Sequence, residues 1–128
     1  DFNHGFGNCD YFKAWQTEGW NIGYIYDDMD QRAFWWLKLW NDQNFISMIK
    51  DRYIDLRGSV LSTNNINSKI DEYVSTLGNS VDKNFTKWPI LGEYIWPNYE
   101  VFESHEEEIK YLKLWINNRL NWMDSELN

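Results

Sequence analysis

The stretch between residues 104 and 127 constrains the fold more than any other part of the sequence. Ser104 and Glu107 form the pattern of a capping box, in which two side chains satisfy free amides at the start of a helix. Apolar residues then recur every three or four positions, at Ile109, Leu112, Trp115, Ile116, Leu120, Met123 and Leu127. The pattern predicts one long amphipathic helix, with Lys110, Lys113 and Arg119 on its outer face.

Shorter helical patterns precede this helix. Residues 34–40 are apolar on nearly every side, which predicts a short helix that is buried on most sides. Asn41 or Asp42 then caps a second helix that runs to about Arg57. Gly58 stands just past its end, where glycine is favoured.

The next apolar stripe begins after Ser62, a favourable helix cap, and continues to residue 88. Its spacing predicts either one long helix or two helices that meet at Gly78 and Asn79. Residues 88–103 follow, and they hold both prolines of the chain among several aromatic residues. This composition predicts an ordered loop that is pinned by its aromatic side chains, which would not stay in solvent.

Residues 1–32 are rich in glycine and aromatic residues and have no helical period. The alternation between residues 20 and 26 is that of a short strand, which Gly23 disfavours. The chain opens on Asp1 with the composition of a loop inside a domain, and we therefore expect it to be the C-terminal piece of something longer. The expected fold class is mainly α, a single unit over residues 1–128 with a loop region at 1–32 and a helical scaffold at 33–128.

Composition excludes several classes of protein. With 128 residues, 43% of them hydrophobic and nine of them tryptophan, the chain can bury a core and is not a disordered segment. The net charge of −8 argues against nucleic acid and anionic membranes as partners. No apolar stretch approaches the ~18–20 residues that span a bilayer. Cys9 is the one cysteine, so it has no partner for an internal disulfide.

Asp1 and Asn3 are candidate metal ligands. They lie two positions apart on a glycine-flanked loop, so that both side-chain oxygens can face one point, and an Asp with a nearby Asp or Asn is a common way to hold Mg²⁺. The same spacing is frequent in ordinary turns. Asp27, Asp28 and Asp30 form an acidic cluster without the glycine and closing glutamate of a calcium-binding loop, which favours a solvated loop.

The tryptophans are compatible with two different roles. Exposed indoles stack on sugar rings, which would make the chain a carbohydrate-binding or cell-surface interaction module without catalysis. Most of the indoles fall at helical core spacing or beside prolines, and this favours packing. The sequence has no nucleophile elbow, P-loop or dinucleotide-binding fingerprint.

Groups of residues along the whole chain carry a resemblance to a known family. They are Asp1-Phe2-Asn3 with Phe6-Gly7-Asn8, then Phe34-Trp35-Trp36, then Arg57 with Val60-Leu61-Ser62-Thr63, then Trp88-Pro89-Ile90-Leu91-Gly92 with Trp96-Pro97-Asn98, and then the series from Glu107-Glu108-Ile109 to Trp122-Met123-Asp124. Together they resemble the C-terminal part of the CotH family, the spore coat protein H-like atypical kinases. The resemblance runs from Asp1 to about Asp124.

The resemblance implies a divergent protein-kinase-like fold, of which this chain would be the helical C-lobe portion. It implies phosphoryl transfer from Mg-ATP to a protein substrate, with Asp1 placed like the metal-binding aspartate of kinases. Asn3 matches a second position of the metal and cofactor site, where many members carry Asp. The ATP-binding lobe and a catalytic carboxylate are expected upstream, in the N-terminal remainder of the same domain, so this fragment alone would be inactive.

Two further expectations follow from the resemblance. The resemblance implies that the protein is located in the spore coat or at the cell surface, or is secreted. A kinase-like C-lobe also implies that most of the nine tryptophans are buried, whereas a carbohydrate-binding module would expose them as a flat platform.

Overall fold

In a computed structural model of the chain, the structure describes residues 3–20 and 34–128, with side chains for residues 5–20 and 35–128. Within these ranges lie the 3₁₀ helix Asn3–Phe6 and the helices α1 (Phe34–Trp40), α2 (Gln43–Arg57), α3 (Thr63–Leu77), α4 (Ser80–Lys87) and α5 (His105–Leu127). The described ranges contain no strand, and the prediction of a mainly helical fold is confirmed. The strand expected between residues 20 and 26 lies outside the described residues, apart from Trp20.

Side chains cap the helices where the sequence predicts them. Asp42 caps α2, because its Oδ1 accepts from the amides of Asn44 at 2.8 Å and Phe45 at 3.1 Å. Ser62 caps α3 in the same way through the amide of Asn65, at 3.3 Å. Each of these bonds satisfies an amide that has no partner within its helix.

The capping box of α5 is shifted by one residue. Ser104 Oγ accepts from the amide of Glu107 at 3.3 Å, as predicted. The carboxylate of Glu107 reaches the amide of Glu103 at 3.1 Å, one position before the cap. The helix therefore starts at the predicted place, but the return bond of the Glu107 carboxylate goes to the amide before the cap residue and not to that of the cap residue itself.

The stripe after Ser62 forms two helices, because the chain turns at Gly78. This residue has φ +45°, a conformation that residues with a Cβ rarely adopt, and α3 ends there before α4 begins. Gly58 also stands at the end of its helix, but its φ of −72° is right-handed. The end of α2 therefore does not require a glycine.

Helix α5 forms the centre of the described structure. It packs against α2, α3 and the 3₁₀ helix, while α1 packs against α2. The buried apolar residues are Cys9, Tyr53, Ile116, Leu120 and Leu127, three of them on α5. The long apolar stripe of this helix is thus what the rest of the chain is built on.

The tryptophans are less buried than expected. None of the nine falls in the buried class, and Trp35, Trp36, Trp88 and Trp96 are each more than half exposed. The expectation that most tryptophans are buried is therefore wrong. An indole is large enough to rest one part on a neighbour while the remainder stays in solvent.

Helix α1 explains part of this difference. It lies at the predicted position, but Trp35, Trp36, Leu37 and Leu39 are all exposed, so the prediction of burial on most sides is wrong. Among the described elements, α2 is the helix that packs against α1, and α2 covers only part of the surface of α1. An apolar sequence shows that a helix can be buried, and its neighbours decide whether it is.

Candidate functional site

The two candidate metal ligands stand at the start of the chain. Asp1 lies outside the described residues, and Asn3 is the first residue of the 3₁₀ helix. Directly after this helix the chain enters a segment, residues 7–20, that is fixed on two sides. We call residues 7–20 the docked segment, because hydrogen bonds and ring contacts join it to two other elements of the structure.

The other candidate residues are dispersed. The acidic cluster Asp27, Asp28 and Asp30 lies outside the described residues. Cys9 is fully buried, and His105 packs its ring against Phe85 with the ring centroids 6.2 Å apart. Within the described ranges, no three His, Cys, Asp or Glu side chains come together as a metal site would need.

Helix α5 holds the first side of the docked segment. Tyr111 donates its hydroxyl to the carbonyl of Gly7 at 3.3 Å, and Trp115 donates its indole N–H to the carbonyl of Trp15 at 2.8 Å. The Trp115 ring lies against the backbone of Gly7, where a Cβ would overlap it. Because Gly7 also has φ +89°, both the close approach and the backbone conformation require glycine here.

Residues 88–103, which we call the Trp-Pro loop, hold the second side. Asn8 Oδ1 accepts from the amides of Tyr99 and Glu100, each at 2.9 Å. The amide of Asp10 donates to the carbonyl of Pro97 at 2.8 Å, and the hydroxyl of Tyr94 donates to the Asp10 carboxylate. The loop and the segment are therefore joined by both backbone and side-chain hydrogen bonds.

Aromatic rings add to the same contact. Trp15 stacks on Tyr99 with the centroids 4.7 Å apart and the planes within 4°, and Tyr11 stacks on Trp96 at 5.9 Å. The prediction that aromatic residues pin the loop is confirmed. The prediction that they leave solvent is wrong, since Trp96 remains 68% exposed.

Arg119 holds the far end of the docked segment, and its predicted place on the outer face of α5 is wrong. Its guanidinium donates to the carbonyls of Thr17 at 2.9 Å and Gly19 at 2.7 Å. It also lies 4.6 Å from the ring centroid of Trp122 and 5.5 Å from that of Trp20. Burial lowers the pKa of this guanidinium. Arg119 lies on this face because two backbone carbonyls of the docked segment accept from its guanidinium there.

A second polar cluster, the α2–α5 clamp, consists of Tyr53, Arg57 and Asp124. The hydroxyl of Tyr53 donates to Asp124 Oδ1 at 2.8 Å, and Arg57 donates from Nε and Nη2 to both carboxylate oxygens, each at 2.8 Å. Arg57 Nη1 donates to the carbonyl of Leu61 at 2.6 Å. Each of its guanidinium nitrogens therefore has a partner, and this arginine joins α2 to α5.

The clamp also changes the pKa values of its members. Hydrogen bonds from Arg57 lower the pKa of the Asp124 carboxyl, against the opposing effect of burial. Burial and the neighbouring carboxylate raise the pKa of Tyr53 to about 12. Arg57 and Asp124, together with Ile54 and Thr63, line an open cleft of about 400 Å³. These shifts reflect a structural ion pair, because the groups face one another.

Asn8 and Tyr111 belong to the residues that carry the family resemblance, but the sequence did not predict their contacts or the inward role of Arg119. The position of Asn8 after Gly7 carried a weak signal, because asparagine often accepts backbone amides near turns. Tyr111 and Arg119 carried none, since their partners are backbone carbonyls about one hundred positions away.

Comparison with known proteins gives one match. The family model described as CotH kinase protein matches residues 1–123 of the chain, from Asp1 through most of α5. No curated protein and no solved structure matches. Among the helices of the described ranges, none has the length and hydrophobicity needed to cross a bilayer.

Proposed function

Because the chain belongs to the CotH kinase family, we propose that it is the C-terminal part of a kinase domain that transfers a phosphoryl group from Mg-ATP to a protein. The observation that carries this proposal is the family match over residues 1–123, which includes both candidate metal ligands and the helices that follow them in the sequence. The rest of the domain, with the ATP-binding lobe and a catalytic carboxylate, would precede Asp1. A cell-surface or spore-coat location is part of the same proposal.

Asp1 and Asn3 are the proposed ligands of the metal. Their donor atoms suit Mg²⁺, which prefers carboxylate and amide oxygens and keeps several water or phosphate ligands. Mg²⁺ bound there would neutralise charge on the β- and γ-phosphates of ATP during transfer. Because the Asn3 amide is neutral, we expect the pair to hold a second metal ion less tightly than two carboxylates would.

The remaining residues of this chain would act by holding residues 1–3, the metal-binding segment, in place. The docked segment is fixed on one side by α5 and on the other by the Trp-Pro loop. In phosphoryl transfer most of the catalytic effect comes from positioning and charge stabilisation, so such support matters for the rate. The helices after residue 33 would supply this support and take no direct part in the chemistry.

The proposal is tested with the full-length protein that carries this chain. We expect Asp1→Ala to lower phosphoryl transfer from Mg-ATP to protein by about 10²-fold or more, because a metal ligand is lost. Asn3→Ala should cause a smaller loss. Asp82→Ala is the matched control, because Asp82 is exposed on α4, away from the docked segment. An Asp1→Ala protein as active as Asp82→Ala would refute the proposal.

The exposed indoles favour a second candidate function, the binding of carbohydrate. Trp96 and Trp88 are 68% and 53% exposed, and exposed indoles can stack on sugar rings. Titration of the chain with soluble oligosaccharides, followed by tryptophan fluorescence, tests this function. A saturable change that Trp96→Ala abolishes would support it, and an unchanged spectrum for every sugar class would dismiss it.

A further inference from the structure

We propose that Asn8 is a positioning residue for the metal-binding segment: it ties the backbone just after Asp1 and Asn3 to the Trp-Pro loop and so tunes how Mg-ATP is held. This inference rests on the proposed function and deepens it. It assigns to the Trp-Pro loop a role in metal binding, although no residue of that loop is itself a candidate ligand.

The first argument is the place of Asn8 in the chain. It lies five positions after Asn3, directly beyond the 3₁₀ helix and Gly7. Both of its neighbours, Gly7 and Cys9, are buried. Only the rest of the 3₁₀ helix and Gly7 lie between Asn3 and Asn8, so we expect a shift of the backbone at Asn8 to be passed on to Asn3.

The second argument is the geometry of its contacts. One side-chain oxygen of Asn8 accepts from two successive backbone amides, those of Tyr99 and Glu100, both at 2.9 Å. This arrangement fixes the side chain in two directions, which a single hydrogen bond cannot do. Without the oxygen, two amides would lose their acceptor, and the one at Glu100 is partly buried.

The third argument is that α5 alone does not fix the segment at Asn8. The α5 contacts are made at Gly7 by Tyr111 and Trp115, and at Trp15 by Trp115. These contacts join the segment to α5 only. The Asn8 bonds join it to a second element, the Trp-Pro loop, and such supporting hydrogen bonds are what orients the ligands of a metal.

The experiment compares three variants in the full-length protein: Asn8→Ala, Asn8→Asp and Tyr53→Phe. Asn8→Asp keeps an oxygen acceptor. Tyr53→Phe removes a hydroxyl of the α2–α5 clamp whose hydrogen bonds go to Leu120 and Asp124 of α5 and not to the docked segment. For each, we would measure kcat, the Mg²⁺ concentration at half-maximal transfer, and the rise in unfolding temperature on adding Mg-ATP. Hydrogen exchange at the amides of Tyr99 and Glu100 reports the contact itself.

We expect Asn8→Ala to raise the half-saturating Mg²⁺ concentration about tenfold, to reduce the stabilisation by Mg-ATP, and to speed exchange at Tyr99 and Glu100. Asn8→Asp should restore most of each property. Tyr53→Phe should lower the unfolding temperature without changing the Mg²⁺ dependence. Should Asn8→Ala not fold, we would use Asn8→Ser instead. The serine side chain is shorter, so its hydroxyl cannot reach the amides of both Tyr99 and Glu100.

Two results would overturn the inference. One is an unchanged Mg²⁺ dependence in Asn8→Ala, and the other is an equal change in Tyr53→Phe, which would mean that any loss of stability has this effect. If Asp1→Ala abolishes transfer while Asn8→Ala keeps its Mg²⁺ dependence, only the role of Asn8 fails. If Asp1→Ala has no effect on transfer, the proposed function and this inference fail together.

Discussion

The docked segment and the α2–α5 clamp are both held by α5, but by different kinds of contact. At the clamp, two side chains of α2 donate three hydrogen bonds to one carboxylate, that of Asp124. Along the docked segment, α5 contacts backbone carbonyls and aromatic rings, through Tyr111, Trp115 and Arg119. One contact is concentrated in a single ionised group, and the other is distributed along residues 7–20.

This difference determines what can disturb each contact. The clamp depends on the ionisation of Asp124, so acid should weaken it. The docked segment depends on the fit between a backbone and the surface of α5, so an added side-chain atom should weaken it. A change that weakens the clamp can therefore leave the docked segment in position. A change that displaces the docked segment can likewise leave the clamp intact.

The largest effect is expected for Gly7→Ala. The new Cβ would overlap the Trp115 ring, and the φ of +89° is unfavourable for alanine. Overpacking and backbone strain together should lower the free energy of unfolding by about 3 kcal/mol. Urea unfolding followed by tryptophan fluorescence measures this loss, since Trp15 and Trp115 lie at the contact.

Gly19→Ala and Gly5→Ala are the controls for this variant. Gly19 has φ +91°, but a Cβ there would meet no atom of the described residues, so only backbone strain of about 1 kcal/mol is expected. A Cβ at Gly5 would also meet no described atom, and its φ needs no glycine. A Gly7→Ala protein no less stable than Gly19→Ala would show that the close approach of Trp115 does not hold the segment.

The clamp is tested by Asp124→Asn. The amide removes the charge that Arg57 and Tyr53 bind, and we expect a loss of about 2 kcal/mol in the free energy of unfolding. Asp55→Asn is the matched control, because Asp55 pairs with Arg52 on the surface, where both side chains are 69% exposed. Equal stabilities of the two variants would contradict the importance of the clamp.

The same variant should change the response to acid. Because Arg57 lowers the pKa of Asp124 in the folded protein, the clamp contributes fully above the ordinary carboxyl pKa of about 3.9. This contribution is lost as the pH falls through the lowered pKa. Burial raises the pKa of Glu108, so this residue has the opposite effect on the pH dependence of stability. Its effect is the same in wild type and in Asp124→Asn, and it cancels in their comparison. The difference in stability between wild type and Asp124→Asn should therefore shrink below about pH 4.

The helices could be predicted from the sequence because their ends depend on local patterns. Asp42, Ser62 and Ser104 each precede a helical pattern and each accept an amide of the first turn. The position of Gly78 was also informative, although the sequence alone left one helix or two as alternatives. Such features involve residues within a few positions of each other, and a single sequence displays them directly.

The contacts that hold the candidate site could not be predicted in this way. Tyr53 and Arg57 lie four positions apart and share a face of α2, but their partner Asp124 is 67 positions from Arg57. Arg119 was assigned to solvent because its helical position is polar, and no pattern in α5 indicates that a loop lies on that face. Asp1 and Asn3 were identified by donor type and by resemblance to a family, and their placement stays a prediction.

The smallest of these effects is expected for Arg119→Lys, which tests whether the far end of the docked segment needs the shape of the guanidinium as well as its charge. Lysine keeps the charge and has N–H donors for the two carbonyls that Arg119 Nη1 reaches, but it lacks the planar group that lies over the Trp122 ring. We expect a loss of about 1 kcal/mol in the free energy of unfolding and a change in near-ultraviolet circular dichroism from the tryptophan contacts. Arg52→Lys is the matched control, because Arg52 is exposed and its carboxylate partner suits either cation. If both substitutions leave stability and spectrum unchanged, charge alone holds this end, and the segment relies on Gly7 and Asn8 for its position.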